Sequence, residues 1–229
     1  MIIIDGNDVS FSVANTARIE DNILTNKTFF FLGSSVTYGS SSQGEAMPEF
    51  IAKRNGCICI KEAVSGTTLA DNGEQSYVRR LEKYIDSGKI DHIDALICQL
   101  STNDRLHVFS LGEVTADDVK DLNEFDKTTT FGAIEYIIAL AKQTWNCPIV
   151  FYTNTYFSDS IPYELMIKNL KVIALKWDIT ILDLFWDKEF NDITPSQCKQ
   201  YMADFIHPTR AGYREWWVPS FEDCLKNLL

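Results

Sequence analysis

The amino-acid sequence predicts an α/β fold, namely a three-layer α/β/α sandwich on a parallel sheet of about five strands. The first observation behind this prediction is that short apolar runs alternate with longer segments whose apolar residues recur at helical spacing, which is typical of βαβ units. The second is that the runs are almost continuously apolar, as expected when helices cover both faces of a sheet. The third is size, because 229 residues, 45% of them hydrophobic, suit one α/β domain with a sizeable core.

The predicted strands are the apolar runs of the chain. The first follows Lys27 and stops at Gly33, the second is broken by Ser65 and Gly66, and the third ends in a polar cluster that begins at Ser101. In order, the five runs are residues 28–32, 57–64, 93–100, 148–153 and 179–184. The first three therefore lead into polar loops, which parallel sheets collect at their carboxyl edge.

The predicted helices lie between these strands and carry apolar stripes. The clearest is residues 130–145, where Ile134, Ile137 and Ile138 share one face. The helix before it is stopped by Gly88. In order, helices are expected at residues 44–54, 76–87, 130–145 and 163–176, with a closing helix over 208–229.

Two segments stand outside this alternation. Residues 1–26 read as an N-terminal extension of a domain that spans residues 27–229, and residues 1–4 could add an edge strand. Residues 105–127 are too long for an ordinary connection, so they are expected to be either a partly helical insertion or a loop over the site.

The composition disfavours several classes of partner, although charges spread along the chain can also serve solubility alone. With 32 acidic and 21 basic residues the net charge is −11, which disfavours nucleic acid and anionic membrane surfaces and favours neutral or cationic small ligands. The N-terminus lacks the basic region and apolar length of a signal peptide, and no run approaches a transmembrane helix, so a cytoplasmic protein is expected. The six cysteines include no CxxC pair, so we expect buried, reduced thiols and no metal site.

Residues suited to acyl chemistry follow the first three strands. Ser34 and Ser35 follow the first, Gly66 the second and Asn103 the third, and a parallel sheet brings such exits to one edge. A serine can be a nucleophile if a base takes its proton, and a glycine N–H or an asparagine amide can stabilise an oxyanion. Each residue also has a structural interpretation, Gly66 as a turn and Asn103 as an Asx-turn. The pattern alone does not choose between the two serines.

The candidate base is one of three histidines. Asp204 lies three residues before His207, a spacing at which the carboxylate can reach one imidazole nitrogen and leave the other for a hydroxyl. His92 precedes the third strand and is expected at the opposite edge, while His107 falls in the unassigned segment. The alternative for Asp204 and His207 is a cap at the start of the closing helix.

These pieces come in the order of the four sequence blocks of a known family. They are Gly33-Ser34-Ser35, then Gly66, then Asn103-Asp104, and finally Asp204-x-x-His207-Pro208. From about residue 28 to residue 212 the chain resembles the SGNH (GDSL-like) hydrolase superfamily. Its most specific piece is the last block followed by Gly212. Two positions depart from the family pattern without removing a reactive group: Ser34 stands where Asp is most frequent, and Ser101 where Gly is common.

The resemblance implies a role for each residue. Ser35 would be the nucleophile, His207 its base and Asp204 the group that orients His207. The backbone N–H groups of Ser35 and Gly66 and the side chain of Asn103 would form the oxyanion hole. The implied activity is that of a serine esterase acting on a small carboxylic ester, with an O-acetylated carbohydrate as one candidate substrate. That chemistry needs neither a metal nor an organic cofactor.

Other interpretations remain open at this point. The same site could transfer the acyl group to a second hydroxyl instead of water. A flavodoxin-like module could use the loop from Gly33 to Gly39 to bind a phosphate, and an inactive scaffold is a third alternative. Tyr156 and Trp186 follow the fourth and fifth strands and could line a substrate pocket, or they could simply pack on the core. The sequence predicts no oligomeric state.

Overall fold

A five-stranded parallel sheet forms the centre of the protein, whose computed structural model describes residues 5–20, 22–106 and 111–229. The strands are β1 Thr28–Gly33, β2 Ile58–Ala63, β3 Ala95–Gln99, β4 Ile149–Tyr152 and β5 Thr180–Leu182. Their order in the sheet is β2-β1-β3-β4-β5, and each neighbouring pair is parallel. The prediction of an α/β fold with about five parallel strands is confirmed.

Helices cover both faces of this sheet. They are α1 Ser35–Tyr38, α2 Met47–Asn55, α3 Tyr77–Asp86, α4 Thr130–Trp145, α5 Ile161–Trp177, α6 Lys188–Asn191, α7 Pro195–Tyr201 and α8 Val218–Leu228. Helices α2 and α8 contact each other, whereas α3 contacts α4 and α4 contacts α5. The strand order requires helices on both faces. The chain moves toward one edge of the sheet from β1 to β2 and toward the opposite edge from β2 to β5, and right-handed crossovers in opposite directions place their helices on opposite faces.

Strand β1 is buried on both faces and fixes where the loops lie. Its residues 29–32 have no exposed surface, which explains why an unbroken apolar run was needed there. Gly33 at its end is in register with Ala63 of β2, and Leu32 is in register with Cys98 of β3. The loops that follow the three strands therefore leave the sheet side by side.

The predicted elements recur close to their expected bounds, and α4 matches residues 130–145. Thr129 caps the start of α4 by accepting the N–H of Gly132, and Asn146 ends it with a φ of +46°. The short helix α1 lies where a polar loop was expected, and helices α6 and α7 were not predicted. They are too short to carry an apolar stripe, and each depends on a capping side chain, Asp187 and Thr194 respectively. The closing helix contains a π-helical stretch, Gly212–Trp217, before α8.

The N-terminal extension packs beside the last sequence block. The suggested edge strand at residues 1–4 lies outside the described residues. Residues 9–15 form two 3-10 turns, Val9–Phe11 and Val13–Asn15. The carbonyl of Gly6 accepts the N–H of Ala211 at 2.9 Å, and Asn7 Oδ1 accepts the N–H of Arg210 at 3.1 Å. The extension thus holds the chain shortly after His207.

Residues 111–127 of the long segment after β3 lie against helices α4 and α5. Thr115 donates its N–H and hydroxyl to Glu135 of α4, and Lys120 donates to the carbonyl of Lys176 in α5. Lys176 in turn forms a fully buried ion pair with Glu135 at 2.6 Å. These contacts, with the 3-10 turn Leu122–Glu124, favour the partly helical insertion over a loop across the site.

Two further observations concern composition. All six cysteines carry free thiols, but Cys198 is exposed, so the expectation of buried thiols is wrong for that residue. Among the described helices, none has both the length and the apolar character needed to cross a membrane.

Candidate active site

Ser35, His207 and Asp204 form one hydrogen-bonded line at the carboxyl edge of the sheet. Ser35 is the first residue of α1, directly after β1. Its Oγ lies 2.8 Å from Nε2 of His207, although the two residues are 172 positions apart. The other ring nitrogen, Nδ1, lies 2.8 Å from Oδ2 of Asp204. Of the two candidate serines, Ser35 therefore contacts the histidine, whereas Ser34 is fully buried and its hydroxyl points to Gln99.

The loop from Asp204 to His207 is held by the same carboxylate that contacts the ring. Oδ1 of Asp204 accepts the N–H groups of Ile206 at 2.7 Å and of His207 at 2.8 Å. Partial burial raises the pKa of Asp204, but the hydrogen bonds from the His207 ring and from these two N–H groups outweigh it, so its pKa is lowered from the ordinary value. The carboxylate is therefore charged at neutral pH.

Three N–H groups lie in the loops around Ser35 and are candidates for an oxyanion hole. The backbone N–H groups of Ser35 and Gly66 have no hydrogen-bond partner among the described residues. Gly66 has a φ of +79° and open space around its Cα, so a glycine suits this turn. Asn103 Nδ2 donates to the carbonyl of Thr67 at 2.8 Å. That bond uses one of its two hydrogens and fixes the amide beside Gly66.

Arg80 joins the loops after β1 and β2, and the sequence pattern did not single it out. Its guanidinium donates to the carbonyl of Gly33 at 2.7 Å, to the carbonyl of Glu62 at 2.6 Å and to Thr67 Oγ1 at 3.3 Å. It is 5% exposed. A signal was available, because a charged residue sits within the apolar stripe of α3 beside Leu81. Its partners could not be read from that pattern.

Asp104 joins the loops after β2 and β3. Its carboxylate accepts the N–H groups of Leu69 at 2.9 Å and Ala70 at 3.2 Å and the hydroxyl of Thr130 at 3.1 Å. Burial raises the pKa of Asp104, and the hydrogen bonds offset only part of that rise. The Asp104 carboxylate contacts none of Ser35, His207 and Asp204. Its role is therefore to hold the two loops in place, and it takes no part in the proton transfers.

The two aromatic candidates for substrate contact lie in different places. Tyr156 is 54% exposed and lines a surface cavity of about 330 Å³ together with Phe205 and Asp204. Trp186 lies in a separate depression beside Leu165 on α5. Tyr156 is therefore the closer of the two to the hydrogen-bonded line.

The remaining histidines are accounted for differently. His92 is exposed and precedes β3, at the opposite edge of the sheet as expected, and His107 lies outside the described residues. Within the described ranges, no group of three or more His, Cys, Asp or Glu side chains is arranged to hold a metal ion.

A serine, a histidine and an aspartate joined in this order at the edge of a parallel sheet are characteristic of hydrolases. The particular family follows from the sequence match. The chain belongs to the GDSL-like lipase/acylhydrolase family, whose family model matches residues 31–215. That range contains every predicted site residue, so the resemblance stated from the sequence is confirmed, and the protein is a hydrolase of the esterase/lipase type.

Solved structures show the same fold at low sequence identity. A Lactobacillus plantarum protein is 17% identical with a TM-score of 0.68, covering 90% of this chain and 99% of its own. A lipolytic protein of the G-D-S-L family from Veillonella parvula is 16% identical with a TM-score of 0.63, covering 86% and 97%. The psychrotrophic esterase EstA from Pseudoalteromonas sp., in a structure inhibited by monoethylphosphonate, is 14% identical with a TM-score of 0.60, covering 88% and 100%. No protein with a curated description matches the sequence.

Proposed function

We propose that the protein is a serine hydrolase that cleaves a small carboxylic ester through an acyl-enzyme on Ser35. The observation that carries this proposal is the 2.8 Å contact between Ser35 Oγ and His207 Nε2, with Asp204 bound to the far side of the ring. A serine hydroxyl is a poor nucleophile unless a base in hydrogen-bond contact takes its proton, and this contact supplies that base. Residues 27–229 would then be the catalytic domain.

The reaction uses the same three side chains in acylation of Ser35 and in hydrolysis of the acyl-enzyme. Ser35 Oγ attacks the ester carbonyl carbon while its proton passes to His207 Nε2. The tetrahedral intermediate collapses when the bond to the alcohol oxygen breaks, and His207 returns the proton to that leaving oxygen. Water then gives a proton to His207 and attacks the acyl carbon, and the carboxylic acid leaves as Ser35 regains its proton.

Asp204 keeps the ring of His207 in the required tautomer. Because its carboxylate can only accept, the ring nitrogen facing it, Nδ1, carries the proton and Nε2 is left free to accept. Oδ1 is committed to two backbone N–H groups of its own loop. This fixes the direction of the carboxylate toward the ring.

The negative charge that develops on the carbonyl oxygen needs donors that are already in place. The proposed donors are the N–H groups of Ser35 and Gly66, which have no partner in the described ranges, and the second hydrogen of Asn103 Nδ2. Removing one such donor from a serine hydrolase typically lowers kcat about 10²- to 10³-fold. The bonds of Asn103 and Arg80 to Thr67 support this arrangement because they hold the loop of Gly66 from two sides.

The proposed substrate is a small neutral ester, with an O-acetylated carbohydrate as the first candidate. An overall charge of −11 disfavours anionic substrates. Tyr156, half-exposed beside Asp204, is the proposed substrate contact because an aromatic face can stack on a sugar ring or an aryl ester.

The test is hydrolysis of a short-chain aryl ester, followed by an acetylated sugar. Ser35→Ala is expected to abolish turnover. The matched control, Ser34→Ala, is expected to keep most of it, since the hydroxyl of Ser34 touches no group of the proposed triad and its bond to Gln99 is long, at 3.3 Å. A serine-reactive phosphonate should attach to Ser35 and to no other serine, as mapped by peptide mass spectrometry. Full activity in Ser35→Ala would sink the proposal.

A further inference from the structure

The side chain of Gln99, at the end of β3, holds the turn that carries Ser35. Its Oε1 accepts the N–H of Ser34 at 2.9 Å and the hydroxyl of Thr37 at 2.8 Å, two bonds that match the two lone pairs of an amide oxygen. The hydroxyl of Ser34 and the N–H of Thr37 approach the same oxygen at 3.3 and 3.4 Å. Gln99 thus contacts the residue before Ser35 and the residue two positions after it.

The orientation of this amide is fixed by its partners. A backbone N–H can only donate, so the atom that faces Ser34 and Thr37 must be the oxygen of Gln99 and not its nitrogen. The Nε2 group then points away and is buried with no hydrogen-bond partner in the described part of the chain. Leaving a buried NH₂ group unpaired is unfavourable, so a side chain chosen only to fill the core at this position would be apolar.

The network is also anchored from β4. Thr37 Oγ1 lies 2.6 Å from the hydroxyl of Tyr152, which is fully buried. Any side chain at Gly33 would collide with Thr37, so Gly33 allows the turn to close against Gln99. The position of Ser35 is therefore fixed by side chains of two neighbouring strands, β3 and β4, and not by its own loop alone.

This arrangement leaves the N–H group of Ser35 unused. The first N–H groups of any α-helix lack a partner within the helix. Gln99 binds those of Ser34 and Thr37, while that of Ser35 has no partner among the described residues. That unpaired N–H is the donor assigned above to the oxyanion hole.

We propose that Gln99 is a positioning residue for the reaction, one that sets both the Oγ and the N–H of Ser35 while touching no reacting atom. The proposal rests on the function proposed above. It adds that the buried amide on β3 determines how well Ser35 reaches His207 and the substrate oxygen. A misplacement of such groups by about 1 Å can lower turnover about a hundredfold.

The experiment compares two buried amides changed in the same way. Gln99→Leu removes the acceptor beside Ser35. The matched control, Asn55→Leu, removes a buried amide that binds Ile51 and Glu222 far from the site. We expect kcat for a short-chain aryl ester to fall about tenfold to a hundredfold in Gln99→Leu with KM nearly unchanged. We expect it to stay near the wild-type value in Asn55→Leu at a temperature where both proteins are folded.

Two more variants separate positioning from simple destabilisation. Gln99→Glu keeps an acceptor oxygen at the same reach, so its kcat should recover at least roughly fivefold over Gln99→Leu. Thr37→Val removes one of the two short bonds and decides the matter if Gln99→Leu does not fold, with a kcat several-fold below wild type expected. Equal kcat losses in Gln99→Leu and Asn55→Leu, or an unchanged kcat in the folded Gln99 and Thr37 variants, would overturn the proposal.

Amide hydrogen exchange gives a readout that does not depend on activity. The N–H groups of Ser34 and Thr37 should exchange about tenfold faster in Gln99→Leu, which removes their acceptor, and at the wild-type rate in Asn55→Leu. If the wild-type protein hydrolyses no ester and Ser35 takes no phosphonate, the proposed function fails, and exchange alone decides whether Gln99 holds the turn. Unchanged exchange at both amides overturns the inference even if the enzyme is active.

Discussion

Asp204→Asn is expected to remove most of the esterase activity, although the only chemical change is that one carboxylate oxygen becomes an NH₂ group. In the native loop, Oδ1 of Asp204 accepts the N–H groups of Ile206 and His207 at 2.7 and 2.8 Å, and Oδ2 faces Nδ1 of His207 at 2.8 Å. The two backbone groups can only donate. The oxygen of an asparagine must therefore take the Oδ1 position, and its NH₂ group must face the ring.

That orientation places the proton on the wrong nitrogen of His207. An NH₂ group donates, so Nδ1 becomes the acceptor and the neutral ring carries its proton on Nε2, which faces Ser35 Oγ at 2.8 Å. A protonated Nε2 cannot take the serine proton. In a serine protease the equivalent tautomer error lowers kcat about 10⁴-fold. The Asp204 side chain is 46% exposed, so water can compete for the ring.

We therefore expect a smaller loss, of about 10²- to 10³-fold in kcat, which corresponds to roughly 3–4 kcal/mol of activation free energy. The assay is kcat and KM for a short-chain aryl ester near neutral pH. Asp187→Asn is the control, because it makes the same chemical change at an exposed cap that accepts the N–H of Phe190, and asparagine caps equally well. A folded Asp204→Asn enzyme with kcat within about tenfold of wild type would refute the tautomer argument.

Three further outcomes are expected. Asn103→Ala should lower kcat by roughly a hundredfold with little change in KM, and an unchanged rate would remove Asn103 from the oxyanion hole. Lys176→Met leaves the Glu135 carboxylate fully buried without its ion-pair partner and should lower the free energy of unfolding by about 3–5 kcal/mol, measured in urea, while kcat of the folded enzyme stays the same. Because the folded-state pKa of Asp204 is lowered from 3.8, its stabilising contribution is complete above about pH 4 and is lost as pH falls through the folded pKa. The difference in unfolding free energy between wild type and Asp204→Asn should therefore shrink in acid, and a constant difference down to about pH 2 would contradict this.

The fold could be predicted because its main elements have strong local signals. Strand β1 is a run of four apolar residues that ends at a glycine, and helix α4 has both a capping threonine and an asparagine at its end. Helices α6 and α7 have only short capping signals, which also occur in ordinary turns. The side on which residues 111–127 pack depends on Glu135 and Lys176, which are 41 residues apart, and no local pattern indicates such a pair.

The site could be predicted only in part, for a similar reason. The pattern of strand exits identified the loops, but the choice between Ser34 and Ser35 needed the resemblance to a family. The chain turns from strand to helix at Ser35, so the alternation of a strand does not tell which serine faces outward. Arg80 and Gln99 are visible as polar residues in apolar surroundings. Their partners Gly33 and Ser34 lie 47 and 65 residues away, so their function in the site follows from the packing alone.

The two departures from the family pattern are both explained by hydrogen bonds in these loops. Ser101 Oγ donates to the carbonyl of Thr67 at 3.2 Å and accepts the N–H of Asn103 at 3.1 Å, so it ties two loops of the proposed oxyanion hole together, which a glycine there could not do. Ser34 is fully buried against Gln99 Oε1. A carboxylate in the place of the Ser34 hydroxyl could not bond to that oxygen, because both groups only accept hydrogen bonds. The hydroxyl of Ser34 can donate to Gln99 and a carboxylate could not, so the serine at 34 suits the glutamine at 99.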